Sequence, residues 1–211
     1  MATRVLIADD QRLVRAGLRM LCESTPGVEV IGEAADGAQA VRLAAELSPD
    51  VILMDLRMPG VDGITAIGQV LSTRAEAKIL VLTTFDDDDH LYPALAAGAA
   101  GFLVKDTDPA ELIGAVHRVA AGDFVLSPHL LQRLVSRAVD AGVPDGPEAV
   151  PLTAREEDVL PLIVDGLSNQ EIADRLHLGV TTVKTHVANL MDKLGAQNRV
   201  QLAVYGYQRM V

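Results

Sequence analysis

A parallel, doubly wound α/β domain followed by a small all-α domain is the architecture this sequence predicts, and three observations carry the prediction. Short apolar runs (TRVLIA, VEVIGE, VILMD, KILVLTT, GFLVK) alternate with amphipathic helical stretches as far as residue 121, the pattern of a parallel sheet covered by helices on both faces. Within them VILMD is apolar on both sides of its alternation, as a strand buried on both faces is. Beyond residue 150 the β-branched runs stop, and two capping boxes, Thr153 with Glu156 and Ser168 with Glu171, open helical stretches instead.

In chain order, the first strand ends on Asp9 and Asp10, and a helix follows through Leu13, Leu18 and Leu21. A second strand spans Val28–Glu33 and a helix runs from about Gly37 to Leu47. The third strand stops abruptly on Asp55, before a Pro-Gly turn and a helix over Gly63–Leu71. The fourth ends at Thr83 and Thr84, with a helix over roughly Asp88–Ala97; aspartates 86–89 read as a solvated loop and helix start, with no metal assigned to them. The fifth is GFLVK, ending on Lys105, and a last helix covers Pro109–Ala121. At this size the flavodoxin-like strand order 2-1-3-4-5 is the usual solution, and it sets the first and third strands side by side.

That order brings Asp9, Asp10 and Asp55 into one crevice at the carboxyl ends of the strands. Three carboxylates there repel one another, and a cation relieves the repulsion. Mg²⁺ suits the role because it takes hard oxygen ligands and phosphate oxygens. The Thr83 hydroxyl comes close to Asp55 from the next strand, and Lys105 stands two strand spacings away, about 10 Å, within reach of a long side chain. A single Asp at a strand end is an ordinary cap; the joint set reads as a carboxylate that accepts a phosphoryl group.

From Ser127, SPHLLQRLVSRAV predicts a short helix, and DAGVPDGPEAVP is a linker rich in Pro and Gly. The domains are therefore expected at residues 1–122, 123–150 (linker with the short helix) and 151–211. Helices are expected over Ala154–Asp165, Asn169–Leu176, Val180–Leu194 and Arg199–Met210, with Pro161 kinking the first. On the third of these, Val180, Val183, Val187, Leu190, Met191 and Leu194 make a buried face, and the opposite side shows Thr181, Lys184, Thr185, Ala188 and Asn189. Such a ridge of small polar side chains fits a major groove.

Composition narrows the function classes. Hydrophobic residues are 49% of 211, enough for real cores, and the solitary Cys22 excludes an internal disulfide or a multi-cysteine metal site. No run is long and apolar enough for a membrane span, and the expected location is the cytoplasm. The net charge of −11 argues against nucleic acid until it is mapped. Residues 1–126 carry nineteen acidic and ten basic side chains, whereas residues 151–211 carry seven and six. Any contact with DNA thus belongs to the near-neutral second half.

Asp9-Asp10, Asp55, Thr83 and Lys105, at those intervals, resemble a bacterial response-regulator receiver domain over residues 3–121. The stretch from LTAREEDVL to GAQNR, with SNQEIA and TVKTH, resembles the LuxR-type helix-turn-helix, and the two in this order are similar to the NarL/FixJ family. The resemblance implies phosphorylation of Asp55 by a cognate sensor histidine kinase. It implies Mg²⁺ bound by Asp10, Asp55 and the backbone carbonyl of Arg57, with Asp9 acting through water. Thr83 and Lys105 would grip the phosphoryl group, and Phe102 matches the family's switch aromatic. It further implies Lys184 and Thr185 at base edges of promoter DNA, and Thr181, Thr182, His186, Asn169 and Lys193 at phosphates. The resemblance also implies a homodimer on phosphorylation, with the last helix as a DNA-binding dimer contact. Two departures stand out: Asp106 replaces the proline many receivers carry after the lysine, and Gly179 replaces a Ser N-cap.

Two other readings compete. Asp55 is also the nucleophile type of a phosphohydrolase, but the position two residues on, where such enzymes commonly keep an acid, is Arg57. Alternatively the first domain is a passive dimerisation module, which leaves the acidic set without a purpose.

Overall fold

The computed structural model describes residues 2–83, 88–126, 150–196 and 198–210. The helix expected from Ser127, the Pro- and Gly-rich segment after it, and Asp86 and Asp87 lie outside the described residues. The chain divides into two compact units, Met1–Val125 and Leu126–Val211. No helix among the described residues is long and apolar enough to cross a membrane.

In the first unit, β1 (Thr3–Ala8), β2 (Val28–Ala34), β3 (Val51–Asp55), β4 (Ile79–Thr83) and β5 (Gly101–Val104) form one sheet in the order β2-β1-β3-β4-β5. Every pairing in it is parallel. The helices between and after them are α1 (Arg12–Glu23), α2 (Gly37–Leu47), α3 (Gly63–Thr73), α4 (Asp88–Ala96) and α5 (Pro109–Ala120). All five residues of β3 are buried, which is why its sequence lacks a polar face. The alternation divides the core in two. Val5, Ile7, Val51, Leu53, Leu80, Leu82 and Leu103 pack with α5 residues Leu112, Val116 and Val119 and with Cys22 of α1. The intervening Leu6, Ile52, Met54, Ile79, Val81 and Phe102 are buried as well, on the opposite face, which by its strand contacts is the side of α2. Burial, and then the charge of Glu23, push the Cys22 thiol up to about 11, so it packs as a small hydrophobe rather than reacting as a nucleophile.

Helix entries follow the local chemistry. Asp36, Asp62 and Asp108 cap α2, α3 and α5 by accepting the backbone N–H groups of Gln39, Thr65 and Ala110. The chain does not leave the unit after α5. Val125 is buried and forms a parallel bridge with Gly101, donating to Ala100 O at 3.1 Å and accepting from Phe102 N at 2.8 Å. Residues 123–125, expected in the linker, therefore finish the sheet edge beside β5, because the edge strand otherwise leaves its backbone donors and acceptors bare.

The second unit contains α6 (Ala154–Val164), α7 (Asn169–Leu176), α8 (Val180–Leu194) and α9 (Arg199–Met210). Both expected capping boxes form. Gly166 and Gly195 close α6 and α8 with paired 6→1 and 5→2 hydrogen bonds, and His177 closes α7 the same way at a φ of 53°. Pro161 lies inside α6, yet the helix runs unbroken to Val164. The carbonyl that loses its partner belongs to Glu157, which is exposed to solvent. Gly206 lies inside α9, where glycine on its own weakens a helix. It is buried, and a Cβ there would stand 2.8 Å from Leu160 Cδ1 and 2.9 Å from Val164 Cγ2; glycine lets α9 approach α6.

Candidate functional site

The carboxyl edge of the sheet gathers the expected residues of the first unit. Alternation puts Asp55 and Lys105 in step with Leu53 and Leu103, and Asp9 in step with Ile7, so all three emerge above the same core layer. Lys105 Nζ donates to Asp55 Oδ2 at 2.7 Å. It also lies 2.7 Å from Asp9 Oδ2, a buried oxygen with no other partner. Asp9 Oδ1 accepts from Gln11 N at 2.8 Å, and Asp55 Oδ1 from Arg57 N at 3.3 Å. Asp10 is exposed at the rim. One oxygen from each of Asp9, Asp10 and Asp55 lies within 4.8 Å of the others.

The electrostatics are those of an uncompensated site. Burial pushes the Asp55 carboxyl above its ordinary value; Lys105 opposes this, and the charge of Asp9 adds to it. Burial alone would lower Lys105, but its contacts with Asp55 and Asp9 together outweigh burial, and its pKa is raised. One ammonium is thus shared between two buried carboxylates, with a third acid beside them. Hard oxygen donors, excess negative charge and a buried oxygen met only by a shared ammonium together fit a divalent cation such as Mg²⁺.

Thr83 is buried and occupies the other face. It pairs with Val104 and its carbonyl accepts from Lys105 N at 2.7 Å, while Phe102, paired with Val81, is 3% exposed on that same face. Thr83, the last residue of β4, thus stands at the same carboxyl edge as the charged set while sharing the face of Phe102. The Lys105–Asp106 peptide is trans.

In the second unit, Val183, Val187, Leu190 and Leu194 are buried, whereas Val180 and Met191, expected with them, are half-buried. Thr181, Thr182, Thr185, Ala188 and Asn189 form the exposed side, flanked by half-buried Lys184 and His186. Gly179 starts α8 in an extended conformation with no side-chain cap, and the Thr185 hydroxyl donates to Thr181 O at 3.0 Å.

Two of the residues expected at phosphates have partners within their own domain. Lys193 Nζ binds Glu156 Oε2 at 2.7 Å, joining α8 to the first turn of α6. Asn169 is 4% exposed, and its Oδ1 accepts from Arg199 Nη1 at 2.9 Å while Arg199 Nη2 donates to Leu167 O at 2.6 Å. Both side chains answer buried charges of their own domain. Burial would raise Glu156, but Lys193 and then Thr153 outweigh it and hold its carboxyl below the usual range.

Sequence reasoning also missed Arg15 on α1. Its Nη1 donates to the carbonyl oxygens of Asp9 at 2.7 Å and Asp10 at 3.1 Å, and its Nε lies 3.4 Å from Glu33 Oε2 on β2. A basic residue one turn into the helix after an acidic pair is the only local signal for it.

Comparison with known proteins agrees with this geometry. Residues 5–117 match the family described as response regulator receiver domain, and residues 150–206 match bacterial regulatory proteins of the luxR family. The chain is 44% identical over 205 residues to the transcriptional regulatory protein LiaR of Bacillus subtilis, covering 97% of each. It resembles the signal receiver domain of the NarL response regulator of Mycobacterium tuberculosis with a TM-score of 0.55 and 40% identity, over 57% of this chain and 98% of that one. A structure of two RcsB dimers bound to two parallel DNAs matches with a TM-score of 0.57 and 29% identity, over 97% of this chain and 98% of that one.

Proposed function

This chain belongs to the response-regulator family that joins a receiver domain to a LuxR-type DNA-binding domain, homologous to transcriptional regulators of two-component systems, and from that premise we propose that phosphorylation of Asp55 by a cognate sensor histidine kinase switches its dimerisation and its binding of promoter DNA. The family is one of DNA-binding regulators and not of classical enzymes, which sets the phosphohydrolase reading aside. The reading is carried by one observation: Asp55 is a buried carboxylate with a raised pKa, bonded to Lys105 at the open end of β3 and crowded by Asp9 and Asp10.

An Asp55 oxygen attacks the phosphorus of the kinase phosphohistidine, the new P–O bond forms, and the P–N bond breaks as the imidazole leaves. Asp10, Asp55 and the Arg57 carbonyl would hold Mg²⁺, with Asp9 acting through water, and the ion would neutralise charge on the phosphoryl oxygens. Lys105 turns its ammonium from the carboxylates to the phosphoryl group, and the Thr83 hydroxyl donates to it. Thr83 and Phe102, on the other face, move together and reshape the β4–β5 surface. Residues 1–122 with the following sheet-edge segment are the receiver and residues 151–211 the DNA-binding domain of a cytoplasmic regulator. Helix α8 enters the major groove with Lys184 and Thr185 at base edges and Thr181, Thr182 and His186 at phosphates. Two copies, related through α9, read half-sites about one turn apart.

Intact-mass measurement after acetyl phosphate and Mg²⁺ should find one phosphoryl group on the wild-type chain and none on Asp55→Asn, and only the former should tighten on promoter DNA. Persistence of the adduct in the variant overturns the assignment.

A further inference from the structure

The acidic pair after β1 is held from behind. Arg15 is 15% exposed in its side chain and reaches back from the first turns of α1 to the carbonyl oxygens of both Asp9 and Asp10. A guanidinium is a planar fork with several donors, so one side chain bridges consecutive peptide groups and still offers another edge. That edge faces Glu33, whose Oε2 lies 3.4 Å from Arg15 Nε while its Oε1 accepts from Arg19 Nε at 2.5 Å. Glu33 sits on β2, in register with Ile7 of β1, two residues before Asp9. The chain is thus: sheet carboxylate, guanidinium, two peptide carbonyls, two acidic side chains.

Besides the Lys105 contact to Asp9 Oδ2 at 2.7 Å, few bonds hold the turn. Asp9 N donates to Ala34 O at 3.1 Å, and Asp9 Oδ1 accepts from Gln11 N. No side-chain cap closes the start of α1 at Gln11. The direction of each acid's Cα–Cβ bond depends on the two peptide planes that Arg15 grips, and the carboxylates must point into one small volume to share an ion.

We propose that Arg15, oriented by Glu33, is a positioning residue for the divalent-cation site: it fixes the Asp9–Asp10 turn so that both carboxylates converge before the ion arrives. This rests on the reading of that site as a Mg²⁺ site. Charge alone makes the opposite prediction, because a nearby cation opposes a second one. Removing Arg15 would then tighten Mg²⁺, whereas loss of positioning weakens it.

The test is isothermal titration calorimetry of the full chain with Mg²⁺ alone, without phosphodonor, on wild type, Arg15→Lys, Arg15→Gln, Glu33→Gln and Asp10→Asn, each with its thermal midpoint in metal-free buffer. Positioning predicts that Arg15→Lys and Arg15→Gln both bind roughly tenfold more weakly, with Glu33→Gln weakened less. Lysine keeps the charge but cannot bridge two carbonyls and a carboxylate. If Arg15→Gln binds as wild type does, or more tightly, the proposal is overturned, and a lowered midpoint with unchanged affinity reduces Arg15 to a structural residue and overturns it too. If wild type binds no Mg²⁺, or Asp10→Asn binds it as well as wild type, the site reading itself fails, a result distinct from loss confined to Arg15.

Discussion

Each unit of this protein contains a lysine bonded at 2.7 Å to a buried carboxylate, Lys105 with Asp55 in the first and Lys193 with Glu156 in the second, and both carboxylates are 3% exposed. Their proton affinities nevertheless move in opposite directions, Asp55 up and Glu156 down. The difference lies in the remaining neighbours. Glu156 Oε2 also accepts from Thr153 N at 2.8 Å within a capping box, and nothing in the causes of its shift opposes the negative charge except burial. Asp55 has only a longer 3.3 Å bond from Arg57 N, and it faces Asp9. The same pair of groups is a clamp where every acceptor is matched, and a poised charge where acids outnumber the cation.

Four measurements would break or sharpen this contrast. The largest effect is expected at Gly63, where a Cβ would stand 2.1 Å from Asp55 O and 2.7 Å from Leu56 Cα. Because backbone cannot yield as a side chain does, Gly63→Ala should cost about 3 kcal/mol in the first unit. The comparable change at Gly206 meets only side-chain carbons, and its helix-propensity gain of about 1 kcal/mol offsets much of the clash. Urea unfolding followed by NMR, which reads each unit by its own resonances, distinguishes the two, and equal losses would refute the distinction.

Next is Glu156→Ala, which removes half of a capping box and leaves Lys193 without its partner; about 2 kcal/mol should be lost from the second unit alone. The folded pKa of Glu156 is lowered, so the unfolded chain binds more protons. Its contribution is therefore complete above the ordinary value of 4.5 and is lost as pH falls through the folded pKa. That acid sensitivity should vanish in the variant.

Asp55→Asn should do the reverse and stabilise the first unit by about 1 kcal/mol at neutral pH, since it deletes a buried charge that the fold does not fully compensate. The folded pKa of Asp55 is raised, so its charge costs stability above that pKa. Acidification through it toward 3.8 relieves the cost, and stability rises on this account as pH falls. An Asp55→Asn protein less stable than wild type at pH 7 would contradict the picture. The smallest effect is Gly179→Ser. A Cβ there meets only Thr182 Oγ1, at 3.6 Å, so the serine can cap α8 and add a few tenths of a kcal/mol. An unchanged midpoint would show that the extended backbone at Gly179 cannot present a cap.

Features that depend on near neighbours in the chain were readable before any coordinates. Strand and helix periods, the capping boxes and the glycines closing α6 and α8 are local, and so the elements appear where expected within a residue or two. The placement of Asp9, Asp55 and Lys105 followed from local periods plus one topological rule, that parallel strands of this order end at a common edge. The partners of Lys193 and Asn169 were not legible, for the opposite reason. Their partners, Glu156 and Arg199, are 37 and 30 residues away, and only packing shows that these polar side chains face inward. Arg15 escaped notice because Glu33, which aims it, arrives through the pairing of β1 with β2.

Composition and spacing therefore sufficed for two domains, a crowded acidic crevice and an amphipathic helix suited to a groove, since each follows from the order of residue types along a short stretch. Folding in three dimensions was needed to decide which charges are satisfied and which are left in surplus. That balance depends on distances of a few ångströms between segments remote in the chain, and no local pattern encodes them.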